Sequence, residues 1–385
     1  MVNSDFPKHK EPSHVPFFLT KAAAFVRKNT VLVIAVLLAL LTSFIVRPDR
    51  CYLSYFDFKT LTCLFCTLAV ICALKNVRFF TKAAEKIVQI AGNTRTAVLM
   101  LVYITFIGSM LLANDMALLT FLPLGYYVLS SSGKEKHMAY TFILQNIAAN
   151  LGGMLTPFGN PQNLYIYEKF HIGNAEFIKI MFPPFALSVL LITLCCLFIP
   201  KEPLVLKARD FAPLPKAKTA VYLLLFAFSI ALVFRVIPYF VGLAVVPLAL
   251  LLLDSSALRK VDYGLLFTFA SFFIFAGNMA RIDAVREFFA FLLEKSTLLT
   301  AALSCQIISN VPSAILLSQF TQNYPDLLVG VNIGGTGTII ASLASLITYR
   351  EYASHCPGKT KKYLGLFSLM NFSFLFLLLV FCTLT

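Results

Sequence analysis

Tryptophan is absent from this chain of 385 residues, charged residues make up only 13% of it, and acidic residues number 18 against 32 Lys and Arg. A soluble domain carries about 25% charge, so a water-soluble enzyme or binding module of this size is excluded. Several chemistries also lack their residue patterns. There is no G-x-x-x-x-G-K-[ST] run for nucleotide phosphates, no H-E-x-x-H for zinc and no G-x-S-x-G elbow for a nucleophile. The five His fall in the N-terminal tail or in loops (His9, His14, His137, His171, His355). Cys63 and Cys66 form a C-x-x-C inside an apolar run and Cys195-Cys196 are adjacent in another, so the cysteines read as small hydrophobes rather than a disulfide framework. No catalytic residue, resident metal or cofactor is expected.

Hydrophobic residues supply 59% of the chain and Phe alone numbers 38. The apolar runs are helix-like rather than alternating, which favours an all-α polytopic membrane protein over a barrel. With no Trp, interfacial anchoring falls to Tyr, Lys and Arg. The net charge of +14 could point to nucleic acid, but its distribution does not. With the N-terminal tail taken as cytoplasmic, most basic residues lie on the cytoplasmic side: the tail, the segment from Arg78 to Arg95, "KEPLVLKARDFAPLPKAK" and "YREYASHCPGKTKK". That is the positive-inside bias, and no nucleic-acid partner is expected. The first apolar run follows about 29 mostly polar or amphipathic residues and has no small-residue cleavage site, so it reads as a signal anchor, with "FFLTKAAAFVRK" before it lying on the membrane surface.

Spans are read near 30–46, 59–75, 138–167, 177–199, 219–235, 238–253, 263–279, 327–347 and 364–383. Residues 96–129 and 297–322 are too long for one helix of about 20 residues and are broken centrally by "ANDM" and "SNVPS". They read as re-entrant hairpins, each after a short amphipathic segment, "FFTKAAEKIVQIAGN" and "RIDAVREFFAFLLEK".

The order of elements then repeats. One half has a span opening "FDFKTL", a surface helix, a hairpin tipped by Asn114 and a span containing "NLGGMLTPFGNPQNL"; the other has "VDYGLL", a surface helix, a hairpin tipped by Asn310 and "NIGGTGTIIASLASL". Both long spans share N-[LI]-G-G-x-x-T: Asn150, Gly152, Gly153, Thr156 and Asn332, Gly334, Gly335, Thr338. Counting spans makes the copies inverted, the first hairpin opening to the cytoplasm and the second outside. The expected organisation is a tail, interfacial helix and first span over 1–56, a first repeat over 57–199, a basic cytoplasmic linker with two scaffold helices over 200–254, and a second repeat over 255–385. The C-terminus falls outside, in a membrane of the bacterial inner or plasma type.

Inverted repeats with interrupted helices are the architecture of secondary transporters, with the binding site where the breaks meet. A hairpin tip or a Gly-Gly break bares N–H and C=O groups, at several kcal/mol per unsatisfied group in hydrocarbon. Half-helix C-termini suit a cation and N-termini an anion. Asn114, Asn310, Gly152-Gly153 and Gly334-Gly335 therefore form two candidate ion sites around one substrate site. The competing reading has the glycines serving close helix packing. Asp115 alone among the acidic residues is flanked on both sides by long apolar runs. A carboxylate at that depth costs at least about 2.5–3.5 kcal/mol, so it is expected to be protonated, cation-bound or paired, and no Lys or Arg lies mid-span for it. The matched position is Val311, which makes the two ion sites inequivalent.

The motifs "ANDMALLTFLPL", "NLGGMLTPFGNPQNL", "SNVPSAILL" and "NIGGTGTIIASLASLI" resemble those of the ion transporter superfamily, which includes citrate transporters, divalent anion:sodium symporters, arsenite permeases and one family of sodium/proton antiporters. The resemblance runs from about Asp57 to the C-terminus. It implies elevator-type carriers, usually homodimers, in which hairpins and broken helices carry substrate across a static scaffold. By this likeness Ala113, Asn114, Asp115, Ser309 and Asn310 at the tips, and Asn150, Gly152, Gly153, Thr156, Asn160, Asn163, Asn332, Gly334, Gly335, Thr338 and Ser342 in the breaks, line ion and substrate sites. The tips read Ala-Asn-Asp and Ser-Asn-Val where the dicarboxylate branch has Ser-Asn-Thr at both, and "ANDMALL" is closer to the arsenite-permease and antiporter branches. The expected function is a secondary transporter moving a small anion or oxyacid coupled to Na+ or H+, with arsenite or antimonite efflux and Na+/H+ antiport as alternatives. A channel would need repeated filter elements and an intramembrane enzyme a paired catalytic set; neither is visible.

Overall fold

A computed structural model describes residue 26 and residues 29–204 and 214–384. The expected surface helix before the first span, most of the N-terminal tail and the middle of the basic linker lie outside the described residues. All regular structure within them is helical, apart from one isolated bridge between Asn93 and Pro203.

The chain begins with α1 (Thr30–Ile45), α2 (Phe58–Asn76) and a short amphipathic α3 (Phe79–Val88). The first hairpin is α4 (Thr94–Leu112) and α5 (Asn114–Ser131), followed by α6 (Met138–Gly152), α7 (Pro161–Lys169) and α8 (Asn174–Leu197). Then come α9 (Lys216–Val233), α10 (Tyr239–Leu253), α11 (Ser255–Arg259), α12 (Tyr263–Ala280) and the amphipathic α13 (Asp283–Lys295). The second hairpin is α14 (Thr297–Ile308) and α15 (Asn310–Leu317), followed by α16 (Tyr324–Ile333), α17 (Leu343–His355) and α18 (Thr360–Leu384). Six of these, α2, α4, α8, α9, α12 and α18, are long and apolar enough to cross a membrane; α1, α10 and α14 are apolar but shorter. The two long spans are each two half-helices. The second hairpin is lopsided, its descending arm being only 8 residues long and ending at Leu317, before the expected limit at 322.

Local chemistry repeats with the element order. Asp57 caps α2 by accepting from the Thr60 N–H at 2.9 Å, and Asp262 caps α12 by accepting from the Leu265 N–H at 3.0 Å. The hairpins open on matched caps too: Asn93 accepts from the Thr96 N–H at 3.0 Å and Ser296 from the Leu299 N–H at 3.2 Å. Each satisfies one of the free donors that a helix start leaves.

Packing sorts the helices into two groups. In one, α1 lies along α12 and α2 packs on α9 and α10; Asn278 of α12 donates to the Thr42 and Ser43 hydroxyls of α1 at 3.2 and 3.3 Å. In the other, each hairpin packs on the broken helix that follows it, and the halves interlock as α5 meets α17 and α15 meets α7. The groups touch where α2 meets α7 and α12 meets α15; the Tyr165 ring lies 5.5 Å from that of Phe273. Residues such as Leu190, Leu224, Leu252 and Phe376 are exposed on the outer helices, where acyl chains solvate them as well as a core would.

Candidate functional site

Each hairpin turns on a single residue. Ala113, between α4 and α5, has φ 65° and ψ 148°, and Ser309, between α14 and α15, has φ 74° and ψ 160°. Glycine favours this region, and another residue there costs of order 1–3 kcal/mol. The same strain at matched positions brings a helix C-terminus and a helix N-terminus to each tip without an intervening loop. The next residue does the same work in both copies: the Asn114 side-chain oxygen accepts from the Asp115 N–H and that of Asn310 from the Val311 N–H, each at 2.9 Å.

The breaks grip the hairpins in a matched way. Thr156 donates its hydroxyl to the Met110 carbonyl at 2.8 Å and Thr338 to the Gln306 carbonyl at 3.1 Å, each acceptor three residues before its tip. The first glycine of each pair serves close approach. A Cβ on Gly152 would collide with the Phe106 carbonyl and come within 2.7 Å of the Ser109 hydroxyl, and one on Gly334 would lie 2.9 Å from the Ala302 Cα. The second glycines border polar groups instead. A Cβ on Gly153 would meet Asn160 Oδ1 at 2.5 Å, and one on Gly335 would approach Asn310 Nδ2 and the Asn332 carbonyl at 3.2 Å and Asn150 Oδ1 at 3.6 Å.

A buried seam of amides joins the two halves. Asn114 Nδ2 donates to Asn150 Oδ1 at 3.2 Å, Asn160 Nδ2 to Asn332 Oδ1 at 3.2 Å, and Asn332 Nδ2 to Asn163 Oδ1 at 2.6 Å. Asn150, Asn160, Asn163 and Asn332 are all at most 2% exposed. Ser342 caps α17 through the Ser345 N–H at 3.2 Å, and the Asn310 N–H donates to the Ala341 carbonyl at 2.9 Å, tying the second tip to the second break. The structure thus brings together Asn114, Asn150, Asn160, Asn163, Asn310 and Asn332 with Gly153 and Gly335, whereas Thr156 and Thr338 bind the hairpin carbonyls and Gly152 and Gly334 face the hairpin helices.

The backbone accounting has an answer within the protein. Asn163 Nδ2 reaches the carbonyls of Gly153, Met154 and Thr156 at 3.1, 3.3 and 3.2 Å. In the other half Gln306 does this work, donating to the Gly334 and Thr336 carbonyls at 2.8 and 3.1 Å and accepting from the Thr338 N–H at 2.8 Å. A bound ion is therefore not required to keep the breaks intact, although each carbonyl retains a second lone pair. Gln306 was missed in the sequence, as was Gln162, whose Nε2 lies 3.4 Å from Asn332 Oδ1; Met110 occupies the position matching Gln306 and offers no amide.

Three buried oxygens along this region have no hydrogen-bond partner: Asp115 Oδ1, Asn160 Oδ1 and Gln162 Oε1. Asp115 is half-buried in the first turn of α5. No Lys or Arg is buried among the described residues, and Glu168, at the end of α7, is the one buried carboxylate among them. No group of three His, Cys, Asp or Glu among the described residues could hold a metal ion, and all nine cysteines are free thiols.

A family model described as citrate transporter matches residues 17–329. The chain belongs to the citrate transporter family. The match spans the first hairpin, the first break and the second hairpin, and ends within α16. The uncharacterized transporter MJ0456 of Methanocaldococcus jannaschii is 31% identical over 295 residues, 76% of this chain and 81% of that protein. The inner membrane protein YbiR of Escherichia coli K12 is 30% identical over 280 residues, 71% of this chain and 74% of that protein. A second archaeal protein, the uncharacterized transporter MJ0672, is 25% identical over 291 residues, 68% of this chain and 65% of its own length. The protein is a multi-pass membrane transporter of this family.

Proposed function

We propose that this transporter is a secondary carrier that moves a small anion or oxyacid through the amide seam, coupled to Na+ or H+. The observation that carries the reading is the matched pair of strained tips, Ala113 and Ser309, each clamped by the threonine of its own break. Four half-helix N-termini, those of α5, α7, α15 and α17, begin at or beside this seam, where their free N–H groups suit an anion. With no buried Lys or Arg among the described residues, recognition rests on dipoles and amides, which fits a small anion of low charge.

Contacts between helix ends support an inverted arrangement of the repeats. The start of α2 meets the end of α7 through Lys59 and Glu168, and the end of α2 meets the end of α10 through Asn76 and Asp254. Asp49, before α2, pairs with Arg281, after α12. So α2 and α12 run in opposite directions. In the two-body reading α1, α2 and α9–α12 form a static scaffold, and the hairpins with α6–α8 and α16–α18 form the moving body of an elevator. The N-terminus is cytoplasmic, the C-terminus is outside, and two copies form a dimer in the bilayer.

Asp115 is the coupling group in this proposal. Its unpartnered Oδ1 favours a second reading, arsenite or antimonite efflux or Na+/H+ antiport, in which the carboxylate exchanges H+ for a cation. Proteoliposomes scanned with citrate, dicarboxylates, sulfate and arsenite under imposed Na+ or H+ gradients test both. Gradient-driven flux of one anion or oxyacid is expected. Na+/H+ exchange without any anion flux would replace this reading with the antiporter, and no flux of any kind would refute both.

A further inference from the structure

Glu168 is the most buried carboxylate among the described residues, 3% exposed, and it sits at the contact between the two helix groups. Its Oε2 lies 2.6 Å from Lys59 Nζ in the first turn of α2 and 3.3 Å from Arg235 Nε in the turn between α9 and α10. Arg235 also donates to the Ile172 and Tyr167 carbonyls at 3.2 and 2.5 Å and stacks over the Tyr167 ring at 4.2 Å. It holds φ 63°, an uncommon conformation for a side-chain-bearing residue.

The other ion pairs between described residues stay within one group. Asp49 and Arg281 join α1 to α12; Lys134 and Lys136 meet Glu202, linking the base of the first hairpin to the end of α8; Asp283 with Arg286 and Glu351 with His355 are each within one helix. Arg78 and Glu85 belong to α3 and its cap. The Glu168 pairs alone join α7 to α2 and to the α9–α10 turn.

We propose that Glu168, Lys59 and Arg235 form a latch that holds the end of α7 against the scaffold in the conformation seen here and opens once per transport cycle. This rests on the two-body reading above. The Glu168 carboxylate is buried while Lys59 and Arg235 are about a quarter exposed, so the pairs separate at a cost that water screens only in part. The pairs therefore bias the equilibrium between this conformation and one in which α7 has moved away, and the transporter meets the cost when the body shifts. Losing one partner shifts that equilibrium toward the released state.

Two native thiols make the test. Cys63 lies one helical turn beyond Lys59 on the same face of α2 and is fully buried, while Cys305 is fully buried inside the moving body with its thiol 3.9 Å from the Val331 carbonyl. Each is retained alone in a chain whose other cysteines are replaced. Labelling by an impermeant maleimide from the side of Lys59 is followed in proteoliposomes with Glu168 intact and with Glu168→Gln.

Labelling of Cys63 is expected to rise about tenfold in Glu168→Gln, the effect of a coupling within the usual range for a contacting pair, while Cys305 stays protected. Lys59→Met added to Glu168→Gln should raise the Cys63 rate little further, because both changes open one contact. An unchanged Cys63 rate would overturn the latch. So would a parallel rise at Cys305, which reports general loosening, or a second full increment from Lys59→Met. The readout needs no substrate, so a wrong substrate or coupling ion leaves it intact and fails only in the flux assay.

Discussion

Gly152 and Gly335 sit in the same four-residue pattern of their two halves, yet alanine should do opposite things at the two positions. At Gly152 the added carbon collides with the Phe106 carbonyl and crowds the Ser109 hydroxyl at 2.7 Å. Both belong to α4, and the Phe106 carbonyl is backbone that no side-chain rotation can clear, so α6 must move off the hairpin. Overpacking of this kind costs about 1–3 kcal/mol, against about 1 kcal/mol regained from helix propensity because Gly152 has ordinary helical angles. The net cost reaches about 2 kcal/mol and lowers the melting temperature by about 4–8 °C on the scale of 150–250-residue domains. At Gly335 the carbon meets Asn310 Nδ2 and the Asn332 carbonyl at 3.2 Å, which a few tenths of an ångström relieve. Gly335→Ala should therefore melt within about 2 °C of the unsubstituted protein and lose transport, because the methyl group stands among Asn310, Asn332 and Asn150. Melting followed by size exclusion in detergent, with gradient-driven uptake on the same preparations, separates the two effects. Gly152→Ala with unchanged melting, or Gly335→Ala with full uptake, would refute the division between packing and site glycines.

Asp115→Asn should insert and fold but lose gradient-driven transport and flatten the pH or Na+ dependence of substrate binding, since ion and substrate binding are reciprocally linked; unchanged ion dependence would leave Asp115 as a helix cap. Cysteines placed at Lys134 and at Asn323 should label from opposite sides of the membrane with an impermeant maleimide, and labelling of both from one side would end the inverted-repeat reading. At the base of the first hairpin, hydrogen bonds from the Lys134 and Lys136 ammonium groups hold the Glu202 carboxyl at about 2, below its ordinary 4.5. A depressed carboxylate contributes stability that is complete above pH 4.5 and lost as pH falls toward 2. The melting difference between the unsubstituted protein and Glu202→Gln should be small, as for exposed pairs, constant from pH 7 to 5.5 and gone by pH 2, and a difference that grows on acidification would contradict this assignment.

The sequence by itself located the apolar helical segments, the polar interruptions at Ala113-Asn114 and Ser309-Asn310, both Gly-Gly breaks and the pairing of their motifs. Those signals are local: an apolar run matched to bilayer thickness, a polar interruption within it, a Gly-Gly pair in a recurring context. The inequivalence of the two tips was also legible, because Asp115 and Val311 differ in charge whatever surrounds them. The strained backbone at Ala113 and Ser309 was not, since neither is the glycine that usually marks such angles. Only the tertiary structure decided which groups satisfy the breaks. Asn163 reaches back within its own repeat and Gln306 reaches across from a hairpin, so one role falls to residues at unrelated places in the two motifs. It also divided the glycines into those against a helix and those against the amide seam, and it made Glu168 a buried ion-pair partner of Lys59 and Arg235. Those partners lie far away along the chain, and sequence periodicity, which reports the face a residue occupies, carries no information about what another helix brings to that face.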